Sequence, residues 1–328
     1  YTLALPAALP LSEPWEQEGG RGMGEYGKMT WPLKQYVWSV RRELWGNRFL
    51  ILGPLVMVCL PLVLLCLQLH TSHLKVIKGT AESVPPILMF RITAEMLFGI
   101  ANVAALTVGC IYALGTFYNE RKDLSVLFWK SLPVSDRLSV AAKASVVLAI
   151  GPLLSLFLSW VATIVLIVAT AQAYGISSVG LAEQASVGHL MIDDVAYIVL
   201  NTLWWLPIYA VLFLVSASVR TVPAVWVLGG LAGLYIVEAI GLRTNHITAI
   251  IWDRFLHFPG TGFHDAQMKI IATQSDGFDV QHTPTDKIVT GHLDFLALFS
   301  MPSLWWGVLL AAVCLVLTVW LRRRAEPI

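Results

Sequence analysis

FLILGPLVMVCLPLVLLCLQL, Phe49 to Leu69, contains no charged residue and only one polar side chain, Gln68. As a helix rising ~1.5 Å per residue it reaches about the 30 Å of a bilayer's hydrocarbon core, so it reads as a membrane span. Outward from it the pattern repeats. Met89 to Phe117 is a second span, longer than a bilayer needs and therefore tilted or extended beyond it. Leu138 to Ala173 is too long for one straight span, and Gly151-Pro152 is where a kink or break is expected. Val195 to Val219 and Val222 to Leu242 form the fourth and fifth spans, joined by a minimal link around Arg220 and Thr221. Leu304 to Leu321 is the sixth, stopped by Arg322, Arg323 and Arg324. The fold expected is an all-α membrane protein of six transmembrane helices, forming one domain over residues 30–328 with an external segment at 243–300. Only 13% of the 328 residues are charged, against about 25% in ordinary soluble domains.

Before the first span, Thr30 to Arg48 changes character. Thr30 is a candidate N-cap, Pro32 sits in the first turn, and Leu33, Tyr36, Val37, Val40 and Leu44 recur on one helical face. Trp31, Trp38 and Trp45 alternate with Lys34, Arg41, Arg42 and Arg48, the mixture expected of an amphipathic helix lying in the headgroup region.

Six spans put both termini on one side. Of the 22 Lys and Arg, seven (Lys75, Lys78, Arg91, Arg243, Arg254, Lys269, Lys287) fall on the opposite side and the other fifteen on the side of the termini. The excess of basic residues in cytoplasmic loops then assigns both termini to the cytoplasm. Arg91 and Glu95, four apart near the start of the second span, fit either a functional intramembrane pair or a snorkelling interfacial one.

Several function classes find little support. Residues 1–29 lack the basic region of a secretory signal and are expected to be a mobile leader or appended extension. Within them Gly22, Gly27 and Lys28 imitate a phosphate-binding loop, but Met29 stands where Ser or Thr should hold magnesium and no apolar strand precedes it. The chain is therefore not expected to bind ATP by a Walker motif or to bind nucleic acid, although the net charge of +1 by itself says nothing about the latter. Cys59, Cys66, Cys110 and Cys314 all lie in apolar runs without a CxxC pair and read as small hydrophobes. In the external segment His246, His257, His264, His282 and His292 accompany Asp253, Asp265, Asp276, Asp279, Asp286 and Asp294. They leave a metal or hydrolytic site open, although no HExxH or close His pair occurs. Ile247 to Phe258, with Ile250, Ile251, Trp252 and Phe255, suggests a helix dipping into the outer leaflet and ended by Pro259-Gly260. Asp294 to Phe299 is a candidate second piece.

One long charged interruption breaks the first two-thirds of the chain: YNERKDLSVLFWKSLPVSDRLSVAAK, Tyr118 to Lys143. Glu120, Arg121, Lys122 and Asp123 follow an apolar run, and Leu124, Leu127 and Phe128 then recur at helical spacing beside Trp129 and Lys130. Pro133 disfavours helix at Leu132, while Ser135 and Asp136 supply an N-cap and a first-turn acid for the next helix. The segment reads as helix end, short cross-helix lying across the membrane face, turn and new helix. A solvated loop joining two spans accounts for the same residues.

With these features assembled, the chain from about Thr30 to its end resembles the permease subunits of ABC-2 type ABC transporters. The motif-like part is Tyr118 to Lys143, which is similar to that family's acidic-basic helix end, bulky coupling helix, Leu-Pro-Val-Ser turn and Lys in the next helix. The resemblance implies a homodimer or pseudo-dimer of permeases bound to two copies of a separate ABC ATPase. ATP and Mg would be held on that partner, with no cofactor or metal in this chain. It also implies export across a bacterial cytoplasmic membrane, and the apolar spans, with Glu95 and Glu238 as the few acids near the membrane, are compatible with a hydrophobic or amphipathic substrate. Leu127, Phe128 and Trp129 would anchor in the ATPase; Glu120, Arg121, Lys122 and Asp123 would form the polar rim; Lys130, Pro133 and Ser135 complete the interface. An ATPase-driven device that operates or senses without transport would share these features, and a membrane enzyme would instead use the external His and Asp residues.

Overall fold

A computed structural model of the chain describes residues 31–77, 86–123, 135–256 and 299–324. The described elements are all helices: α1 (Trp31–Gly46), α2 (Phe49–Ile77), α3 (Pro86–Lys122), α4 (Asp136–Tyr174), α5 (Ser178–Gln184), α6 (Val187–Ser218), α7 (Pro223–Leu242), α8 (His246–Leu256) and α9 (Pro302–Arg324). Six of them, α2, α3, α4, α6, α7 and α9, are long and apolar enough to cross a membrane. They coincide with the six expected spans. The chief difference is that α6 starts at Val187, eight residues ahead of the expected Val195. Asp193 and Asp194 interrupt the apolar pattern there, but a helix end that need not be apolar tolerates them.

The third span neither breaks nor runs as uninterrupted α-helix. Its i→i−4 ladder widens to a π turn at Val146–Ile150, immediately before Gly151-Pro152. Proline has no N–H to donate and its ring crowds the carbonyl four residues back, here that of Leu148. The widened turn absorbs this, and Gly151 N–H bonds instead to Val146 O, five residues back.

α3 lies at the centre of the bundle, packed against α2, α4 and α6, while α6 also packs along α9. Two apolar layers result. One surrounds Tyr112, Phe117, Val140, Val147, Tyr209 and Phe213; the other surrounds Val58, Phe90, Leu97, Leu158, Leu166 and Leu181. Alanines such as Ala101, Ala113 and Ala162 are fully buried in these layers and let the backbones approach closely. α7 stands apart. Only 6% of its most apolar stretch is buried against the rest of the chain, compared with 50% for α6.

At the end of the bundle away from the termini, α7 finishes in a second π turn, Val237–Leu242, and Arg243 adopts a left-handed conformation at φ 52°. This reversal lets the buried Glu238 carboxylate accept the backbone N–H groups of Ile247 (2.6 Å) and Thr248 (2.7 Å), capping the start of α8. Arg254 fixes the other end of α8. It donates to Trp204 O at 3.1 Å and Ser303 O at 2.9 Å, and its guanidinium stacks 4.0 Å from the Trp204 ring. Gly307 leaves the space that the Arg254 guanidinium occupies, so a side chain there would have to displace it. Ile247, Ile250, Trp252 and Phe255 of α8 remain exposed.

Candidate functional site

The residues that flank positions 124–134 converge on a buried charge network at the end of the bundle that carries both ends of the described chain. It assembles from four elements that are distant in sequence. α3 contributes Tyr112, Thr116 and Glu120, which recur every four residues and so share one helical face. Near its start α4 contributes Asp136 and Lys143, α1 contributes Arg42 and Glu43, and α9 contributes Arg322.

Lys143 is the hub. Its side chain is 1% exposed, and its ammonium reaches Glu43 Oε1 at 2.9 Å, Glu120 Oε1 at 2.9 Å and Thr116 Oγ1 at 2.8 Å. An ammonium has three N–H donors, so all are satisfied. Glu120 is bound on its other oxygen by Arg322 Nη1 at 2.7 Å, and Arg322 Nε reaches Asp136 Oδ1 at 3.2 Å. Glu43 also accepts from the Tyr112 hydroxyl at 2.9 Å and pairs with Arg42. Three carboxylates thus meet three cations. Phe117 forms an apolar wall, with Lys143 Nζ 5.5 Å and Arg322 Cζ 5.4 Å from its ring centroid.

Burial alone would raise the pKa of Glu43, but the neighbouring Lys143 and Arg42 charges and their hydrogen bonds hold it down at about 2. Desolvating ions is costly, and such a set is tolerated only when every partner is satisfied. Removing one member leaves an uncompensated charge, so the network acts as a latch joining α1, α3, α4 and α9.

Of the expected interface residues, Glu120 and Arg121 are turned into the chain and Lys122 and Asp123 are exposed. Arg121 Nη2 donates to Ser216 O at 2.8 Å and Val219 O at 2.6 Å, satisfying carbonyls at the C-terminal end of α6. Ser216 Oγ in turn accepts from the backbone N–H groups of Phe117 and Tyr118, each at 3.2 Å. Adjacent residues therefore wire the end of α3 two ways: Glu120 to α4 and α9, and Arg121 to the link between the fourth and fifth spans. On the far side of the stretch, Ser135 Oγ caps α4 by accepting from Leu138 N–H at 3.3 Å, and Asp136 joins the latch. Leu127, Phe128, Trp129, Lys130 and Pro133 lie outside the described residues.

The stretch expected to form the entry helix is helical as α1, and the side it buries against the chain is only partly its apolar one. Val40 and Leu44 pack on the core, while Leu33 and Val37 are exposed and the most buried positions are Ser39 and Glu43. A polar partner, Lys143, waits beneath the helix, so the polar face goes inward. Glu43, Tyr112, Thr116 and Arg322 are the functional candidates that sequence reading missed; the available signal was the polar ladder 112, 116, 120 inside an apolar span.

At the opposite end, Arg91 and Glu95 attract each other across one helical turn and lie in the field of Asp193 on α6. Arg91 Nε is buried without a hydrogen-bond partner. Among the described residues no group of three or more His, Cys, Asp and Glu is placed to hold a metal ion. The other histidines of the 243–300 segment, His257, His264, His282 and His292, lie outside the described residues.

Comparison with protein-family models, with curated proteins and with solved structures finds no match to this chain.

Proposed function

We propose that the chain is the membrane-embedded permease subunit of an ABC-2 type exporter, driven by a separate ATP-binding-cassette ATPase. The observation that carries this reading is the anchoring of both flanks of residues 124–134. Glu120 and Arg121 hold one side through largely buried contacts, and Asp136 holds the other through a half-buried ion pair with Arg322. A solvated connecting loop has no use for flanks tied into four helices, whereas a lever has.

ATPase closure pushes on the cross-helix, with Leu127, Phe128 and Trp129 as anchors and Lys122, Asp123, Lys130, Pro133 and Ser135 around them. Because α1 and α9 are latched to α3 and α4 through Lys143 and Arg322, the displacement is carried as a rigid-body motion. Two permease copies then open and close against each other. α2 and α7 are the faces assigned to that contact: α7 is nearly unburied, and Gly229, Gly230 and Gly233 have open space around them, as the small residues of a helix–helix interface require. The chain supplies no catalytic group; ATP and Mg belong to the partner, and the orientation assigned has both termini in the cytoplasm. The substrate class is hydrophobic or amphipathic.

The test is purification from the native membrane in mild detergent, with mass spectrometry of what accompanies the chain. A stoichiometric Walker-motif ATPase supports the reading. A chain that comes alone, and stays alone under gentle crosslinking, overturns it.

A further inference from the structure

We infer that the outward face of α1 is a docking surface for anionic phospholipid, with Arg41 as the phosphate-binding residue. The inference needs only that the chain spans a membrane and stands whether or not it is a permease.

α1 is built with its polar latch inward, which leaves Leu33, Val37, Trp38, Arg41 and Trp45 exposed. Positions 33, 37, 41 and 45 recur every four residues and form one stripe, with Trp38 beside it. The Arg41 guanidinium carbon lies 4.3 Å from the Trp45 ring centroid and 5.5 Å from that of Trp38. The two indoles hold the planar group between them, which limits the rotamer freedom lost on binding and leaves N–H edges that fit a phosphate bidentately. Among the described residues no carboxylate pairs with Arg41. The single acid of α1, Glu43, is buried on the opposite face and bound to Lys143.

The outward face is therefore apolar and positive with no negative charge to balance it. Its complement is a surface that supplies apolar depth and phosphate together, which is the headgroup boundary of an anionic leaflet. Position agrees: only Asn47 and Arg48 separate α1 from the first span, and Arg48 is exposed and adds to the same charge.

The full chain, with whatever partner it carries, is reconstituted in nanodiscs of phosphatidylcholine alone or with a minority of phosphatidylglycerol. Retained lipid is read by native mass spectrometry, and unfolding by temperature. Wild type should retain phosphatidylglycerol over phosphatidylcholine and unfold at higher temperature in the mixed discs. Arg41→Gln should reduce that preference about fivefold, the effect of one basic group at an anionic surface, and should match wild type in phosphatidylcholine. Trp45→Leu keeps the apolar area but removes the stacking surface, and should lower the preference as well. Undiminished preference in both variants, or none in wild type, overturns the inference. Stabilisation of wild type by inorganic phosphate without anionic lipid would overturn the assignment to a lipid surface.

Discussion

Lys143 Nζ stands 2.9 Å from Glu43 Oε1 across a hundred residues of sequence, and this pair fastens an amphipathic helix to the start of the third span. Both side chains are almost wholly buried. Lys143→Met should therefore destabilise the chain by about 3–5 kcal/mol, the cost of stranding buried charge. The double variant Glu43→Gln/Lys143→Met should recover part of that loss, because Glu120 keeps Arg322. Thermal unfolding in detergent measures both, and equal destabilisation by the single and double variants would remove the pair from the account.

The same carboxylate sets a pH dependence. Glu43 falls from an ordinary 4.5 to about 2, so its contribution is complete above pH 4.5 and is lost as pH falls from there toward 2. At full strength it amounts to about 3 kcal/mol at 1.36 kcal/mol per unit. The stability difference between wild type and Glu43→Gln should be constant from pH 7 down to about 4.5 and shrink below that. A difference that grows on acidification would reverse the assigned sign.

Arg121 predicts a local effect. Replacement by Gln removes a charge-assisted donor from Ser216 O and Val219 O, worth about 1.5–3 kcal/mol. Hydrogen exchange should quicken at the end of α6 and in the link at 219–222 while the latch at Lys143 stays protected. Unchanged exchange there would mean that Arg121 does not hold this end.

Phe128→Ala/Trp129→Ala should leave insertion and thermal stability near wild type, yet release the ATPase or abolish its coupling. Loss of one aromatic anchor typically costs 2 kcal/mol or more, roughly thirtyfold in affinity. Retained ATPase binding with full transport would exclude these residues as anchors.

The six spans were legible in sequence because a bilayer demands about twenty apolar residues in a row, and that demand leaves a direct imprint. The latch was not. Tyr112, Thr116 and Glu120 carry a polar ladder in α3, but its partners lie on three other helices, and no local spacing reveals that Glu43 of α1 will face Lys143. The side of α1 that meets the bundle was hidden for the same reason: it follows a charge on α4, supplied a hundred residues away. The π turn before Gly151-Pro152 was half visible, since the proline predicts a disturbance without specifying whether the helix kinks, breaks or widens.

The most direct test of the central claim is amine-reactive crosslinking of the chain in its native membrane, followed by mass spectrometry of the linked peptides. Lys122 and Lys130 lie on either side of the assigned anchors. The account predicts that both link to one Walker-motif ATPase. An ATPase absent from the crosslinks, or joined only through residues remote from 118–143, would contradict it.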